Sequence, residues 1–303
     1  MIARLLAGRD LDSLHLGKRE GRVDLRGLPA PTPRRLDRFE SMGWFVEELG
    51  DLVSFRGVRL RAIDFSGAQL PSLRFHDVVI DDCRFDGAAC RDWRLWSSQV
   101  AGCSFSKADL RGSAIGTWHE GRRNEWRQVN FSGADFRVGV SEQALYEDCD
   151  FAGAKITGVQ FSQCAFDRCR FAGLMSSVLF DGRDLPDRPA PPQMCKVDFL
   201  AAVFQEVEFR GFDLEDVRLP NDPDVRLYRR GRCVAMRGIQ LLDGDESKLA
   251  RGLKAVLANR LRGPGDKREA DVFNRRDYMA WGGEDLARLA ESIMDRAEAD
   301  CVR

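Results

Sequence analysis

CDFAGAKITGVQFSQCAFDRCRF, residues Cys149–Phe171, repeats one five-residue pattern along its length. A small residue is followed by a polar one, then by Phe or Ile, and then by two polar, small or glycine residues, as in Cys149–Gly153 and Ala154–Gly158. An α-helix repeats near 3.6 residues and a simple strand repeats at 2, so a period of five fits neither. The pattern predicts a chain in which each unit is a short extended piece that ends in a tight corner.

The large apolar residue at the centre of each unit recurs in three in-phase series, with Phe180 as a single unit between the second and the third. The first series is Phe55, Leu60, Phe65, Leu70, Phe75, Ile80, Phe85, Cys90, Leu95, Val100, Phe105, Leu110 and Ile115; the second is Phe131, Phe136, Ser141, Tyr146, Phe151, Ile156, Phe161, Phe166 and Phe171; the third is Phe199, Phe204, Phe209, Leu214 and Leu219.

A smaller apolar residue lies two positions before most centres, and glycine often lies two positions after, as Val53 and Gly57 do around Phe55. Glycine suits such corners because it tolerates positive φ. One unit cannot bury its apolar side alone, so the units must stack as a solenoid. A buried Phe or Leu contributes on the order of 1.5–3 kcal/mol, and a continuous stack therefore makes a large core.

This pattern resembles the pentapeptide-repeat family, whose consensus Ala-Asp/Asn-Leu-x-x is matched by Ala108-Asp109-Leu110-Arg111-Gly112 and by Ala134-Asp135-Phe136. The resemblance implies an all-β solenoid core, a right-handed quadrilateral β-helix with four units per coil. Residues 20 apart would then lie one strand spacing apart, about 4.8 Å. Phe65, Phe85 and Phe105 are expected to sit above one another, and Trp93 to lie inward above Ser113.

Interruptions of the five-residue repeat indicate how the chain is divided into regions. Residues 116–130 and 181–196 interrupt it; the first stretch has no clear inward positions and is expected to bulge outward, and the second contains a Pro-rich loop, residues 183–193. We expect residues 1–52 to form an N-terminal segment with one isolated pentad, Val23–Gly27, and a capping helix over 33–49. Residues 53–219 form the β-helix, and residues 220–303 form a helical C-terminal cap or dimerisation region, with helices at 246–261 and 284–299.

Composition excludes several classes of protein. The 303 residues carry a net charge of −1, so no global field attracts nucleic acid or acidic lipid. No apolar run approaches the roughly 18 residues of a membrane helix, and the N-terminus lacks a signal-peptide pattern, which predicts a cytoplasmic protein. The nine cysteines are interpreted as small core residues of a reduced protein rather than as a disulfide frame.

No catalytic motif is recognisable in the sequence. The three histidines share no zinc-like spacing with cysteine, and no phosphate loop or nucleophile elbow is present. A filled axial core leaves no central cavity for a substrate. The sequence therefore predicts a protein without enzymatic activity, cofactor or metal; an enzyme or accessory protein of a biosynthetic pathway, acting through the 116–130 insertion, is an alternative.

Some members of the pentapeptide-repeat family bind type II DNA topoisomerases and protect them from poisons, in some cases by an acidic, DNA-like surface. Residues 53–219 contain 24 acidic and 21 basic residues, which is too balanced for such a surface. The predicted columns also mix signs, with Asp148 beside Arg168, Asp150 beside Arg170, and Arg61 beside Asp81.

The preferred hypothesis is therefore a non-catalytic scaffold that binds another protein, with a topoisomerase-binding resistance or self-immunity factor as the alternative. No direct nucleic-acid or membrane partner is expected, and a homodimer through the C-terminal region is possible. Exposed aromatic and cationic residues favour partner binding in two places. The candidates are the outward column Arg56, His76 and Trp96, and the insertion residues Trp118, His119, Arg122, Arg123 and Trp126.

Overall fold

A coil of parallel strands forms most of the molecule. The computed structural model describes residues 15–30, 53–183, 194–262 and 270–302. Successive turns of the coil pair in parallel with the predicted 20-residue offset, so that Phe55 lies beside Phe75 and Phe75 beside Leu95. Four such ladders run along the coil, one for each unit of the turn, and the fold is a quadrilateral β-helix.

Each ladder makes one side of the coil, and we number the sides by the order in which the chain meets them after Val53. Face 1 contains the strands Val53–Arg56, Leu73–His76, Arg94–Trp96, Ala114–Gly116, Val140–Glu142 and Gln160–Ser162. Face 2 contains Arg59–Arg61, Val79–Asp81, Gln99–Ala101, Glu125–Arg127, Leu145–Glu147 and Ala165–Asp167.

Faces 3 and 4 are held by shorter strands and by single bridges such as Arg84↔Ser104 and Ala89↔Asp109. Near the C-terminal end of the coil, two long strands run across faces 3, 4 and 1. The strands of faces 3 and 4 are Ile63–Asp64 in the first coil, Asp150–Ala152 and Ile156–Thr157, then the long Arg170–Asp181 and Val197–Arg210, and last Val217–Arg218.

Aromatic rings stack along the axis of the coil. The ring centroids of Phe65 and Phe85 are 5.1 Å apart, and those of Phe85 and Phe105 are 4.7 Å apart, as the sequence predicts. Trp93 is fully buried, and its backbone N–H donates to Ser113 Oγ at 3.0 Å, which confirms the expected pairing of a bulky residue with a small one. The core is therefore filled by side chains.

The corner residue two positions after a centre has positive φ along most of the coil. Glycine fills many of these corners, but Asp82, Lys107 and Val138 adopt the same conformation, with φ of 52°, 57° and 55°. Left-handed backbone costs an L-residue roughly 1–2 kcal/mol and is least favourable for a β-branched residue. Corner geometry is thus imposed by the stacking of the coil and not by glycine alone.

The break between Phe171 and Phe180 is a one-residue deletion. Met175 lies beside Ile156 on face 4, only four residues after Phe171, and Phe180 lies beside Phe161 on face 1. Phe199 then stacks on Phe171 with ring centroids 4.8 Å apart. Loss of one corner residue therefore leaves the axial stack intact. The Pro-rich loop lies, except for Arg183, outside the described residues.

The insertion near 116–130 differs from its prediction. Six additional residues separate the face 1 centre Ile115 from the face 2 centre Trp126, and they form a hairpin of strands Trp118–His119 and Arg122–Arg123. Asn124 and Trp126 are fully buried. The expectation that this stretch has no inward positions is wrong, because only one corner is expanded.

The N-terminal pentad is not isolated. The strand Arg22–Asp24 pairs in parallel with Ile63–Asp64 and antiparallel with Lys18–Arg19. Leu25 is buried in the coil core. The pentad thus adds to face 3 above the first full coil. The predicted capping helix over 33–49 lies outside the described residues.

The C-terminal region contains a strand pair and three helices. Val225–Tyr228 pairs antiparallel with Asp271–Asn274, and the helices are α1 (Gly231–Leu241), α2 (Lys248–Arg260) and α3 (Arg275–Val302), the last kinked at Gly282 and Gly283. The helix predicted at 246–261 corresponds to α2, which is three residues shorter, and the helix predicted at 284–299 lies within α3. The helix α1 was not predicted.

This region packs against the last coil. The backbone N–H of Ala270 donates to Phe212 O at 2.8 Å, and Asn274 Nδ2 donates to Phe204 O at 2.8 Å. Ala270 and Val272 also belong to the apolar core of the coil. The rest of the helical region has a core of its own, which includes Leu253.

Two cysteines do not follow the interpretation as reduced core residues. Cys233 in α1 and Cys301 at the end of α3 form a disulfide with a Cα–Cα distance of 6.1 Å. Both lie outside the repeat, so its period gave no information about them. The seven other cysteines are free thiols, all of them buried except the half-buried Cys195.

We predict that Val138→Gly stabilises the protein. Val138 combines positive φ with a 73% exposed side chain, so the substitution relieves backbone strain and removes no packing. The expected gain is about 1 kcal/mol in the free energy of unfolding, measured by urea titration. Val140→Gly is the matched control, because Val140 is also exposed but lies in a strand, where glycine destabilises. A lower stability of Val138→Gly would contradict this account of the corners.

Candidate protein-binding face

One outward column of face 1 combines a cation with two rings. Arg56, His76 and Trp96 lie side by side on three successive coils, as the sequence predicts. The His76 and Trp96 rings stack with centroids 4.3 Å apart and an interplanar angle of 7°. The Trp96 side chain is half-buried, and stacking on His76 holds its ring in one orientation.

The hairpin of residues 118–123 is a tight two-residue turn between paired strands. Its central residues Glu120 and Gly121 have φ of 51° and 74°. Two positive φ values are the mark of a type I′ turn, whose twist matches that of the flanking strands. Trp118 pairs with Arg123, and His119 pairs with Arg122.

Hydrogen bonds fix the hairpin at the corner between faces 1 and 2. Ser97 Oγ donates to His119 O at 3.0 Å, and Arg122 Nη1 donates to Asp77 Oδ1 at 2.6 Å. Ser97 and Asp77 are the corner residues that directly follow Trp96 and His76. The two groups of candidate residues, separate in the sequence, therefore meet at one corner of the coil.

The hairpin also has an aromatic and a cationic side. The Arg123 guanidinium carbon lies 5.9 Å from the centroid of the Trp118 ring, within cation–π range. A groove of about 370 Å³ lies between the hairpin and face 2, lined by Val79, Gln99 and Trp118 among others. We call the Arg56–His76–Trp96 column together with residues 118–123 the hairpin corner.

Trp126 is not part of this surface. It was a candidate for partner binding, but it is fully buried at the centre of face 2, where its Nε1–H donates to Ile115 O at 2.9 Å. Its ring lies 5.4 Å from that of Phe131. The burial of Trp126 could have been predicted from the sequence, because Trp126 precedes Phe131 by five residues and so extends the second series of centres towards the N-terminus.

Asn124 anchors the base of the hairpin inside the coil. Its Nδ2 donates to Leu95 O at 2.8 Å, and its Oδ1 accepts the backbone N–H of Ser98 at 2.9 Å. The Asn124 amide thus bonds one backbone carbonyl and one backbone N–H of the preceding coil, which the expanded corner would otherwise leave unpaired. No pattern in the sequence predicts this role.

The outer columns carry the predicted mixed charges. Arg61 and Asp81 approach to 3.2 Å, Arg168 and Asp148 to 2.7 Å, and Arg170 and Asp150 to 3.6 Å. Within each pair the opposite charges neutralise each other, so the net charge along the outer columns is small. They argue against a continuous acidic surface.

A second kind of ion pair, within single units, was missed. In Asp109-Leu110-Arg111 the two outer side chains pair across the buried leucine, with Arg111 Nε 2.9 Å from Asp109 Oδ1 and Nη2 2.8 Å from Oδ2. Asp135 and Arg137 form the same bidentate pair. Hydrogen bonding from Arg111 holds the pKa of Asp109 well below its usual range. An acid and an arginine two residues apart around a centre would have predicted these pairs.

The buried cysteines of the coil are packing residues. Burial raises the pKa of the Cys90 thiol, and burial raises the pKa of Cys164 to about 12. A thiolate is the reactive form, so these cysteines are inert core residues. Among residues whose positions are given, no group of three or more His, Cys, Asp or Glu side chains is placed to hold a metal ion.

The chain matches no protein-family model and no curated protein. Similar solved structures include a QnrB1 structure, titled a plasmid-mediated fluoroquinolone resistance protein, which has 18% identity, covers 66% of this chain and 84% of its own, and gives a TM-score of 0.41. HetL, a pentapeptide-repeat protein involved in heterocyst differentiation regulation in the cyanobacterium Nostoc, has 12% identity, with 70% and 95% coverage and a TM-score of 0.21. Rfr23, a pentapeptide-repeat protein from the cyanobacterium Cyanothece, has 9% identity, with 55% and 90% coverage and a TM-score of 0.21.

The five-residue repeat and the 20-residue register of this chain show that it adopts a quadrilateral β-helix fold. No helix in the described ranges is long and apolar enough to cross a membrane.

Asp109→Asn should lower stability at neutral pH. Since the native pKa is depressed, the carboxylate stabilises the fold above the unfolded pKa of about 3.9, and this contribution is lost as pH falls through the native pKa. We expect a loss of about 1 kcal/mol at pH 7, allowing for solvent screening, which shrinks steadily as the pH is lowered below about 4. Urea unfolding of both proteins across this range measures the difference. A gap between them that stays constant with pH would show that the ionised pair is not its cause.

Proposed function

We propose that this chain is a non-catalytic scaffold that binds a protein partner through the hairpin corner. The observation that supports this most is the meeting of the His76–Trp96 ring stack with the anchored hairpin at one corner of a rigid coil. Arg and Trp side chains are the residue types enriched where binding energy concentrates in protein interfaces. Irregular segments on a rigid scaffold are the usual carriers of binding function.

The coil makes the surface pre-organised. Backbone ladders fix the Arg56–His76–Trp96 column, and side-chain hydrogen bonds fix the hairpin. A partner therefore meets groups whose conformational entropy is already lost, which favours affinity. Trp96, Trp118 and Arg123 are the proposed anchors, and His76 and Arg122 support them.

Trp96→Ala should abolish or strongly reduce capture of the partner in an affinity pull-down from the source cells. Removal of a central aromatic anchor costs about 2 kcal/mol or more in binding, which is at least a 30-fold loss of affinity. Replacement of residues 118–123 by a short glycine linker should have a similar effect. Trp281→Ala is the matched control, since Trp281 is 48% exposed but lies in α3, where it bonds Glu206 in the last coil, far along the rod from Trp96.

The proposal fails if both hairpin-corner variants capture the same proteins as the unmodified chain. Circular dichroism melting of each variant separates loss of binding from loss of folding. A variant lacking residues 183–193 tests the Pro-rich loop as the alternative binding element.

A type II topoisomerase is the partner class that the pentapeptide-repeat resemblance suggests. The mixed ion-pair columns argue against DNA mimicry, so protection would have to act through local contacts at the hairpin corner. We expect any protection of gyrase from quinolone-induced cleavage to be lost in Trp96→Ala. Unchanged cleavage in the presence of the unmodified protein would exclude this alternative.

A homodimer through the C-terminal helices is also proposed. Met236 on α1 is 49% exposed, which supplies an apolar contact for a second copy. Sedimentation at micromolar concentration that finds only a 34.2 kDa species would exclude the dimer.

We also propose a cytoplasmic location. The Cys233–Cys301 disulfide argues against it, because disulfides are more typical of oxidising compartments.

A further inference from the structure

A group of arginines lines the corner between faces 4 and 1. Arg91, Arg111 and Arg137 follow the face 4 centres of three successive coils, whose preceding residues are bridged in register from Ala89 to Asp109 to Asp135. Arg74 and Arg94 precede the face 1 centres of two coils and lie side by side. We call these five residues the arginine edge.

Three carboxylates neutralise only part of this edge. Asp92 pairs with Arg74 at 2.9 Å and with Arg94 at 2.8 Å. Asp109 pairs with Arg91 and, at 2.8 Å, with Arg111; Asp135 pairs with Arg137 at 2.7 Å. Five guanidinium groups thus face three carboxylates, on a chain whose net charge is −1.

On the face 4 side of the edge, the carboxylates are more deeply buried than the guanidinium groups. The Asp109 and Asp135 side chains are 22% and 14% exposed, whereas those of Arg91, Arg111 and Arg137 are 56%, 37% and 46% exposed. At these three arginines the cations form the outer layer and the carboxylates the inner one, whereas Asp92, at 38% exposed, lies outside Arg74 and Arg94, at 12% and 32%. The potential just outside Arg91, Arg111 and Arg137 is therefore positive, because an approaching group lies nearer to the guanidinium charges than to the carboxylates beneath them.

The edge retains hydrogen-bond donors for a partner. The bidentate pairs with Asp109 and Asp135 use Nε and Nη2 of Arg111 and Arg137. The Nη1 amino group of each lies outside its pair. A guanidinium whose inner side is fixed by one carboxylate presents its remaining N–H groups at low entropic cost, which suits recognition of a second carboxylate.

The arginine edge is continuous with the hairpin corner across face 1. Arg74 and His76 belong to one strand, and Arg94 and Trp96 to the next. Both pairs lie two residues apart and therefore point to the same side of the sheet. One surface thus has cations at one corner, rings in the middle, and the hairpin at the other corner.

We propose that the arginine edge binds an acidic segment of the protein partner that the hairpin corner engages; the inference rests on the proposed function and names the chemistry of that partner. The edge spans about 14 Å over three coil spacings, which suits a few carboxylates of one peptide segment. Nucleic acid is disfavoured because its binding depends on neutralising many phosphates, and the edge is short and partly neutralised by its own aspartates.

The test uses a fluorescein-labelled peptide of alternating Glu and Ser, measured by fluorescence anisotropy at low salt. Replacement of Arg91, Arg111 and Arg137 by Gln should weaken binding on the order of tenfold, and rising salt should reduce this difference. The Lys variant at the same three positions keeps the charge and should retain most of the affinity. Replacement of Arg61, Arg127 and Arg170 by Gln is the control, because these arginines also pair with acids but lie on faces 2 and 3.

Unchanged affinity of the Gln variant for the peptide overturns the proposal, and so does an equal loss in the control variant. Tighter binding of a duplex DNA of the same charge than of the peptide also overturns it, in favour of a nucleic-acid surface. The peptide assay needs no cellular partner, so it is independent of the pull-down. If the arginine edge binds the peptide as expected but Trp96→Ala captures the same proteins as the unmodified chain, only the proposed role of the hairpin corner is disproved. Melting curves of every variant verify that the coil is folded.

Discussion

The axial stack of side chains is the contact on which the whole structure depends. A unit of five residues buries too little apolar surface to be stable, and only stacking on the next coil completes its core. Stacking requires that residues one coil apart lie in register, as the ring contacts from Phe65 through Phe105 show. The register then fixes every outward residue in a column, so that surface chemistry is a direct result of core packing.

This constraint explains why much of the fold could be predicted. The positions of Phe85 and Trp93, and the ion pair between Arg168 and Asp148, follow from a count of 20 residues. The same count failed where the chain adds or removes residues. Trp126 was assigned to the surface because six residues are inserted at one corner before it, although its distance from Phe131 kept the period.

Other features have no periodic signal at all. The disulfide joins cysteines 68 residues apart in a region without a repeat, and only the packing of α1 against α3 brings them together. The hairpin anchors at Ser97 and Asp77 depend on where a turn folds over the coil. The pairing of Asp109 with Arg111 could have been predicted from their spacing of two residues. The sequence does not show, however, that the guanidinium groups lie outside the carboxylates at the surface. The candidate site was thus predicted as a set of residues, and its assembly at one corner was not.

In the proposed complex the hairpin corner and face 1 contact a partner, while face 3 remains exposed. The most direct measurement replaces Trp96 with a photoreactive phenylalanine analogue, irradiates the source cells, and compares the products with those from the same analogue at Ser106 on face 3. The account predicts a discrete cross-linked protein from position 96 and none from position 106. Cross-links from position 106 with none from position 96 would contradict it.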